Sequence, residues 1–370
     1  MSRIDVPVVV IGAGPAGLAT SRELRRRKID HLVLERGLDV GHTWANLYDS
    51  LTLHTGKHLS SLPGMRFSRS TPLFPTRRHF LDYLRRYAER FALPIETEAE
   101  VARIERDGDT WMTYTTAGRE LRSRTVVVST GIVASPRIPE IAGRERFGGR
   151  VMHSVEYRRP GPFRGRRVLV VGCGNSGGEI ASELAAAGVD VTIAVRSGTD
   201  VVPLKLFGAP IQYSAYLLTR LPPALRAPLA RLVRRASAAR NGPPVLPPSP
   251  HPPLTRIPLI GFHLVEAIRE GRVAVRPGVA ALTAAGARFT DGAEGEFDDV
   301  VLATGFAPAI DLLGGLVRRD ERGFALRSDR VRSADQPELY FVGHNYDSTG
   351  GLHNVARDAP IAGALIGRAK

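Results

Sequence analysis

Two glycine turns, Gly12-Ala13-Gly14-Pro15-Ala16-Gly17 and Gly172-Cys173-Gly174-Asn175-Ser176-Gly177, are where residue type and spacing in this chain imply chemistry. In a G-x-G-x-x-G turn the first glycine permits a tight turn and the second lets the backbone approach a pyrophosphate. The third lets the following helix pack on the preceding strand. The phosphates then meet the positive end of that helix. One match by pattern is weak; two, each after an apolar run and before a helical one, are strong. Glu35 stands 23 residues beyond Gly12, after Leu32-Val33-Leu34. A carboxylate there accepts hydrogen bonds from a ribose 2′-hydroxyl and repels a 2′-phosphate. Arg196, with Ser197, stands 24 residues beyond Gly172, where a guanidinium can pair with a 2′-phosphate. The first turn therefore suits FAD and the second NADPH. The plain alternative for Arg196 is a surface arginine in an arginine-rich chain.

Each turn needs a strand before it and a helix after it, and the sequence supplies both. Val6 to Ile11 precedes the first turn, and Leu18 and Leu24 mark the helix beyond. Val168 to Val171 precedes the second, with a helix through Ile180 and Leu184 to Gly188, then Val191 to Val195. Short β-branched runs alternating with helical segments indicate parallel, doubly wound sheets. The expected fold class is α/β: two dinucleotide-binding, Rossmann-like three-layer domains, the NADPH domain inserted in the FAD domain. Residues 1–157 and 300–370 form the first and 158–299 the second. Between the repeats, Phe80 to Phe91 has helical spacing, Val101 to Arg106 with Thr110 to Thr115 reads as a hairpin, and Leu121 to Ser129 as one strand. Strand patterns return at Arg272 to Val275, Val300 to Ala303 and Tyr340 to Val342, and a last helix starts near Leu352. A Pro-rich insertion spans about 203–258. Its basic amphipathic stretch from Ile211 to Arg235 reads as a surface excursion, with a membrane-surface helix as the alternative.

The run Phe147-Gly148-Gly149-Arg150-Val151-Met152-His153-Ser154-Val155-Glu156-Tyr157 matches F-x-G-x-x-x-H-x-x-x-aromatic just before the second turn. It resembles the fingerprint of flavin-containing, N-hydroxylating and Baeyer–Villiger monooxygenases, and Tyr157 in the last place is closer to the first class. Further stretches resemble the YUCCA-type flavin monooxygenases over most of the chain. They include Leu34-Glu35-Arg36, Trp44, Leu51 to His54, Lys57, Phe80 to Leu84, Val195-Arg196-Ser197 and Leu302 to Phe306. The resemblance implies that Gly12, Gly14, Pro15, Ala16, Gly17, Glu35 and Arg36 hold FAD. Trp44 and the Leu53 to Lys57 loop would lie near the flavin, Val101 at the adenine, and Thr130-Gly131 by the pyrophosphate. Gly343 and Leu352 would border the ring. NADPH falls to Gly172, Gly174, Asn175, Ser176, Gly177, Arg196 and Ser197, with Thr304-Gly305 on that side. His54 and Lys57 are candidates for contact with NADP⁺ or substrate, and His153 for a structural role linking the domains. No residue takes a strict acid–base role, because in this class the flavin does the hard chemistry. The implied function is NADPH- and O₂-dependent oxygenation of a small organic substrate through a flavin C4a-(hydro)peroxide. YUCCA-like oxidative decarboxylation of a 2-oxo acid is one alternative, and a reductase or electron carrier without oxygen transfer another. After Gly131 and after Gly343 the sequence departs from the YUCCA pattern, which leaves indole-3-pyruvate open as substrate.

Composition bounds the alternatives. With 370 residues, 43% hydrophobic and 24% charged, the chain is an ordinary globular protein. A single cysteine, Cys173, excludes the redox pair of a disulfide reductase. Ten histidines show no metal-ligand spacing, and no metal is expected. The formal charge is +14, but only four of 51 basic residues are lysine and the basic runs are short. They lack interleaved aromatics, so a solvated surface is expected rather than a nucleic-acid partner. No apolar run approaches the length of a membrane span and no signal peptide is visible. A cytoplasmic enzyme is the expectation, with homodimerisation open.

Overall fold

The computed structural model describes residues 4–222, 224–226, 228–232, 235, 242–251 and 257–368. They form two compact units, one of 1–46, 51–135 and 306–370, the other of 47–50 and 136–305.

The first unit is built on a parallel sheet in the order Leu339–Phe341, Thr125–Val128, Val8–Ile11, His31–Leu34, Ile95–Glu96. Val8–Ile11 and Thr125–Val128 are buried at every residue, as strands covered on both faces must be. Alternate residues serve two cores. Val8, Val10, Val33, Val127 and Val342 pack with Leu18 and Leu24 of helix Pro15–Arg26, Phe80 and Leu84 of helix Arg77–Arg90, and Val355 and Ala362 of helix Gly351–Arg368. Val9, Ile11, Val126, Val128 and Phe341 pack with Ile104, Trp111 and Leu121 of an antiparallel sheet, Val101–Asp107, Thr110–Thr115, Glu120–Ser123. The hairpin is as expected. The single strand expected over Leu121 to Ser129 is instead two: Glu120–Ser123 pairs antiparallel with Thr110–Thr115, and Thr125–Val128 pairs parallel with Val8–Ile11. Arg124 sits between them, and its N–H bonds the Pro7 carbonyl.

The second unit repeats the plan: Val273–Arg276, Asp190–Ala194, Arg167–Val171, Asp299–Leu302, Arg150–His153, all parallel. Helices Asn175–Ala186 and His263–Arg269 contribute buried Ile180, Leu184 and Leu264. A meander, Val279–Leu282, Gly286–Phe289, Glu294–Glu296, makes a further core in which Phe147, Leu169, Val300, Leu302 and Phe289 meet. The boundaries differ from those read in sequence. Residues 136–157 and 300–305 belong here, because Arg150–His153 and Asp299–Leu302 are strands of this sheet. Leu47–Ser50 belongs here too: the Tyr48 hydroxyl donates to Glu179 and Asp49 N–H to the Arg158 carbonyl at 2.9 Å. In the insertion, helix Ile211–Arg220 ends at Leu221-Pro222 and helical backbone resumes at 224–226 and 228–232. Arg234 and Pro252-Pro253, part of the expected basic and Pro-rich stretches, lie outside the described residues. Among the described residues no helix is long and apolar enough to cross a membrane.

Candidate functional site

At the first turn Gly12 has φ +98°, and a Cβ there would stand 2.8 Å from the Ser129 carbonyl oxygen. A Cβ on Gly17 would stand 1.8 Å from the Gly12 carbonyl oxygen. A Cβ on Gly14 would meet nothing within 4 Å among the described residues. The outer glycines are thus required by the fold, whereas the middle one leaves a vacant approach to the backbone. Helix Pro15–Arg26 has no side-chain cap on its N-terminal N–H groups, with Pro15 at its start, so those donors face the same space. Glu35 is buried, and its two carboxylate oxygens accept from Ala13 N–H at 2.7 Å and Gly37 N–H at 2.9 Å. Each oxygen retains acceptor capacity, so the side chain braces the turn and still offers lone pairs.

The second turn has the same construction. Gly172 has φ +109°, and its Cβ would lie 2.6 Å from the Ala303 carbonyl oxygen; that of Gly177 would lie 2.0 Å from the Gly172 carbonyl oxygen. Gly174 again meets nothing within 4 Å among the described residues, and helix Asn175–Ala186 has no side-chain cap. Arg196 and Ser197 are exposed at the end of strand Asp190–Ala194, where the first unit has its buried carboxylate. The Asn175 amide is spent on the fold, donating to the Pro258 carbonyl at 3.1 Å and accepting from Ile260 N–H at 2.8 Å. Burial pushes the Cys173 thiol up to about 12, so it is an inert thiol at neutral pH.

The remaining expected residues divide by unit. Trp44 packs edge-on to Phe80, 4.6 Å between centroids. Val101 opens its strand opposite Thr115. The Thr130 hydroxyl donates to the Ala309 carbonyl, and Gly131, at φ +83°, accepts from Ala309 N–H at 3.1 Å. Gly343, at φ +84°, lies where a Cβ would be 2.8 Å from Ala16 Cβ, next to the first turn, and Leu352 is buried in the helix-side core. Arg36 is exposed and His54 half-buried. Lys57 does not fit the contact role expected for it. Its ammonium donates to the carbonyls of Ser68 (3.2 Å), Arg69 (3.0 Å) and Thr71 (2.6 Å), which uses all three of its protons to clasp a loop. In the second unit the Thr304 hydroxyl donates to the Arg137 carbonyl, and Gly305 accepts from Arg137 N–H at 2.9 Å.

His153 is structural. Val155 N–H donates to its Nδ1 at 3.2 Å, so Nε2 carries the proton and donates to the Gly305 carbonyl at 3.1 Å. Burial lowers its pKa and keeps the ring neutral. The Val155 and Gly305 partners lie in the second unit. Tyr157 is buried and donates to Glu183 at 2.8 Å, packing on Phe163.

A family model described as pyridine nucleotide-disulphide oxidoreductase matches residues 9–202. Indole-3-pyruvate monooxygenase YUCCA8 of Oryza sativa is 37% identical over 321 residues, 82% of this chain and 76% of the relative. YUCCA4 of the same species is 34% identical over 383 residues, 96% of this chain and 86% of the relative. The chain belongs to the flavin monooxygenase family. In three dimensions a mutant flavin monooxygenase from Stenotrophomonas maltophilia superposes with TM-score 0.79 at 27% identity, covering 99% of both chains. A flavin monooxygenase is an oxidoreductase that uses FAD and NADPH, and both turns fit such groups: each has a backbone cradle that a Cβ on the middle glycine would fill, and a bare helix N-terminus.

The first unit of this flavin monooxygenase also holds a polar cluster around buried Asp358 and Asn354 that no motif announces. The Arg330 guanidinium donates to Asp358 at 2.7 Å and Asn354 at 3.0 Å, and Asn345 donates to Asp358 at 2.5 Å. Arg327 donates to the Arg330 carbonyl and to Asn345, each at 3.0 Å. These bonds tie the loop after Gly343 to the last helix. His344 in that loop is buried between Phe341 and Phe324, and neither ring nitrogen has a hydrogen-bond partner among the described residues. Burial, with Arg327 adding, lowers its pKa to about 3. Such a cluster joins residues remote in sequence, and no spacing announces it.

Proposed function

We propose that this flavin monooxygenase uses NADPH and O₂ to oxygenate a small organic substrate, with FAD on the first unit and NADPH on the second. The observation that carries the division is the contrast at equivalent points: buried, anionic Glu35 closes one cradle and exposed, cationic Arg196 the other. When bound, FAD supplies the activation of O₂ after reduction by NADPH.

The chain's own residues bind, orient and exclude water. Gly12, Gly14 and Gly17 with the N-terminus of helix Pro15–Arg26 hold the FAD pyrophosphate, and Glu35 accepts from the adenosine ribose. Gly172, Gly174, Gly177 and helix Asn175–Ala186 do the same for NADPH, and Arg196 pairs with its 2′-phosphate. Gly343 and Leu352 border the flavin, and the Arg330–Asp358–Asn345 cluster fixes the loop between them. His54 is the remaining candidate for substrate contact. The Lys57 ammonium is engaged with the three carbonyls of the 68–71 loop and has no proton left to offer a ligand.

Oxidative decarboxylation of a 2-oxo acid is favoured among the oxygenations by the names of the plant relatives, which are indole-3-pyruvate monooxygenases. A panel of 2-oxo acids, tertiary amines and thioethers tests this. NADPH oxidation, product and leaked peroxide are measured together under isotopically heavy O₂. Heavy oxygen in the product of one class supports oxygen transfer. NADPH oxidation recovered wholly as peroxide with every class would favour the reductase reading.

A further inference from the structure

Residues 201–265 contain eight basic residues and no acidic one; all 37 aspartates and glutamates of the chain lie elsewhere. The same segment exposes large apolar side chains. Phe207 is 86% exposed, Leu217 63%, Leu225 50%, Leu229 37% and Leu232 61%, five of the nine exposed large hydrophobics among the described residues. Leu225, Leu229 and Leu232 recur at the i, i+4, i+7 spacing of one helical face. Arg220, Arg231 and Arg235 are exposed around them.

Phe207 adds an independent sign. It occupies the tip of a two-residue hairpin between Lys205–Leu206 and Ala209–Pro210, with φ +51°, followed by Gly208 at φ +81°. Two positive φ values suit Asn-Gly, and a bulky aromatic in the left-handed region is strained. An aromatic ring left this exposed at a strained backbone position is the pattern of an interfacial anchor.

We propose that this face of the insertion lies on an anionic lipid surface, with Phe207 and the leucine stripe among the headgroups and the arginines at the lipid phosphates. Exposed apolar residues beside charge of one sign are what interfacial binding requires. A nucleic acid would match the charge and leave the leucines in water. A second copy docked face to face would bring two purely basic segments together.

The test is co-sedimentation of the full-length holoprotein with vesicles of phosphatidylcholine alone, or with phosphatidylglycerol at three to one. Partition onto the anionic vesicles only, weakened by salt, is expected. Arg231→Gln with Arg235→Gln should reduce it roughly 25-fold, about fivefold per charge. Phe207→Ser and Leu229→Ser with Leu232→Ser should each reduce it at least about tenfold. Flavin content and NADPH oxidation should be unchanged in all three, which reports an intact fold. Equal partition onto both vesicles, no partition onto either, or indifference of the variants would overturn the proposal. So would a concentration-dependent dimer dissolved by the leucine substitutions, which would assign the face to a second copy.

Discussion

Replacing the middle glycine of each turn by alanine separates ligand binding from folding. Gly14 has φ −76° and ψ −175°, and Gly174 φ −85° and ψ −176°, conformations open to any L-residue. A Cβ at either meets no described residue within 4 Å, so the folded protein has room for it. The expected change in stability is within about 1 kcal/mol, from the helix-start preference and the stiffer unfolded chain. The methyl does take the space a phosphate needs to reach the bare N–H groups. Two charged hydrogen bonds lost at about 1.5–3 kcal/mol each weaken binding by roughly two to four orders of magnitude. Gly14→Ala should emerge largely free of flavin with a melting temperature within a few degrees of the wild-type apoprotein. Gly174→Ala should keep its flavin and lose affinity for NADPH. Flavin-to-protein ratio after gel filtration, KM for NADPH and thermal melting read the three quantities. Gly17→Ala is the contrasting control, since its Cβ would lie 1.8 Å from a backbone oxygen and should impair folding itself. A Gly14→Ala protein with full flavin and unchanged Kd would refute the reasoning.

Arg196→Ala should raise KM for NADPH about 10- to 100-fold, the worth of a charged hydrogen bond, and leave KM for NADH nearly unchanged. His344 should contribute acid lability. The unfolded ring takes up a proton near 6.5 and the native ring only near about 3, so the unfolded state binds more protons in that window and stability falls as pH falls. Between pH 7.5 and 5 the loss from this group is about 2 kcal/mol, and His344→Leu should remove it in urea titrations at the two pH values. Lys57→Met should free three carbonyls and destabilise by about 1–2 kcal/mol. Limited proteolysis should then cut near 68–71 while kcat stays at the wild-type value; a collapse of kcat would restore Lys57 as a functional contact.

Much of the frame was legible because each repeat encodes itself locally: Val8–Ile11 and Arg167–Val171 run straight into their glycines, and the helices follow within three residues. Glu35 and Arg196 were legible by distance from those glycines. The strand Arg150–His153 hid inside the fingerprint, and its partner Asp299–Leu302 lies some 150 residues away, so no local pattern assigned them to one sheet. Glu120–Ser123 and Thr125–Val128 read as one strand because a single residue separates runs that belong to different sheets. Lys57 looked available because a lysine in a candidate loop is exposed by default, and only the fold brings the carbonyls of 68–71 to it. His344 is the converse case: nothing in Gly343-His344-Asn345 says that the ring is buried with no hydrogen-bond partner among the described residues.

The central claim is that the N-terminal turn houses a flavin which a phosphorylated nicotinamide reduces. Anaerobic mixing of the purified protein with NADPH or NADH, followed by visible absorbance, tests it most directly. The account predicts a yellow protein bleached far faster by NADPH than by NADH at equal concentration, with colour restored by air. Protein that stays colourless after incubation with FAD, or that bleaches equally with both nucleotides, would contradict it.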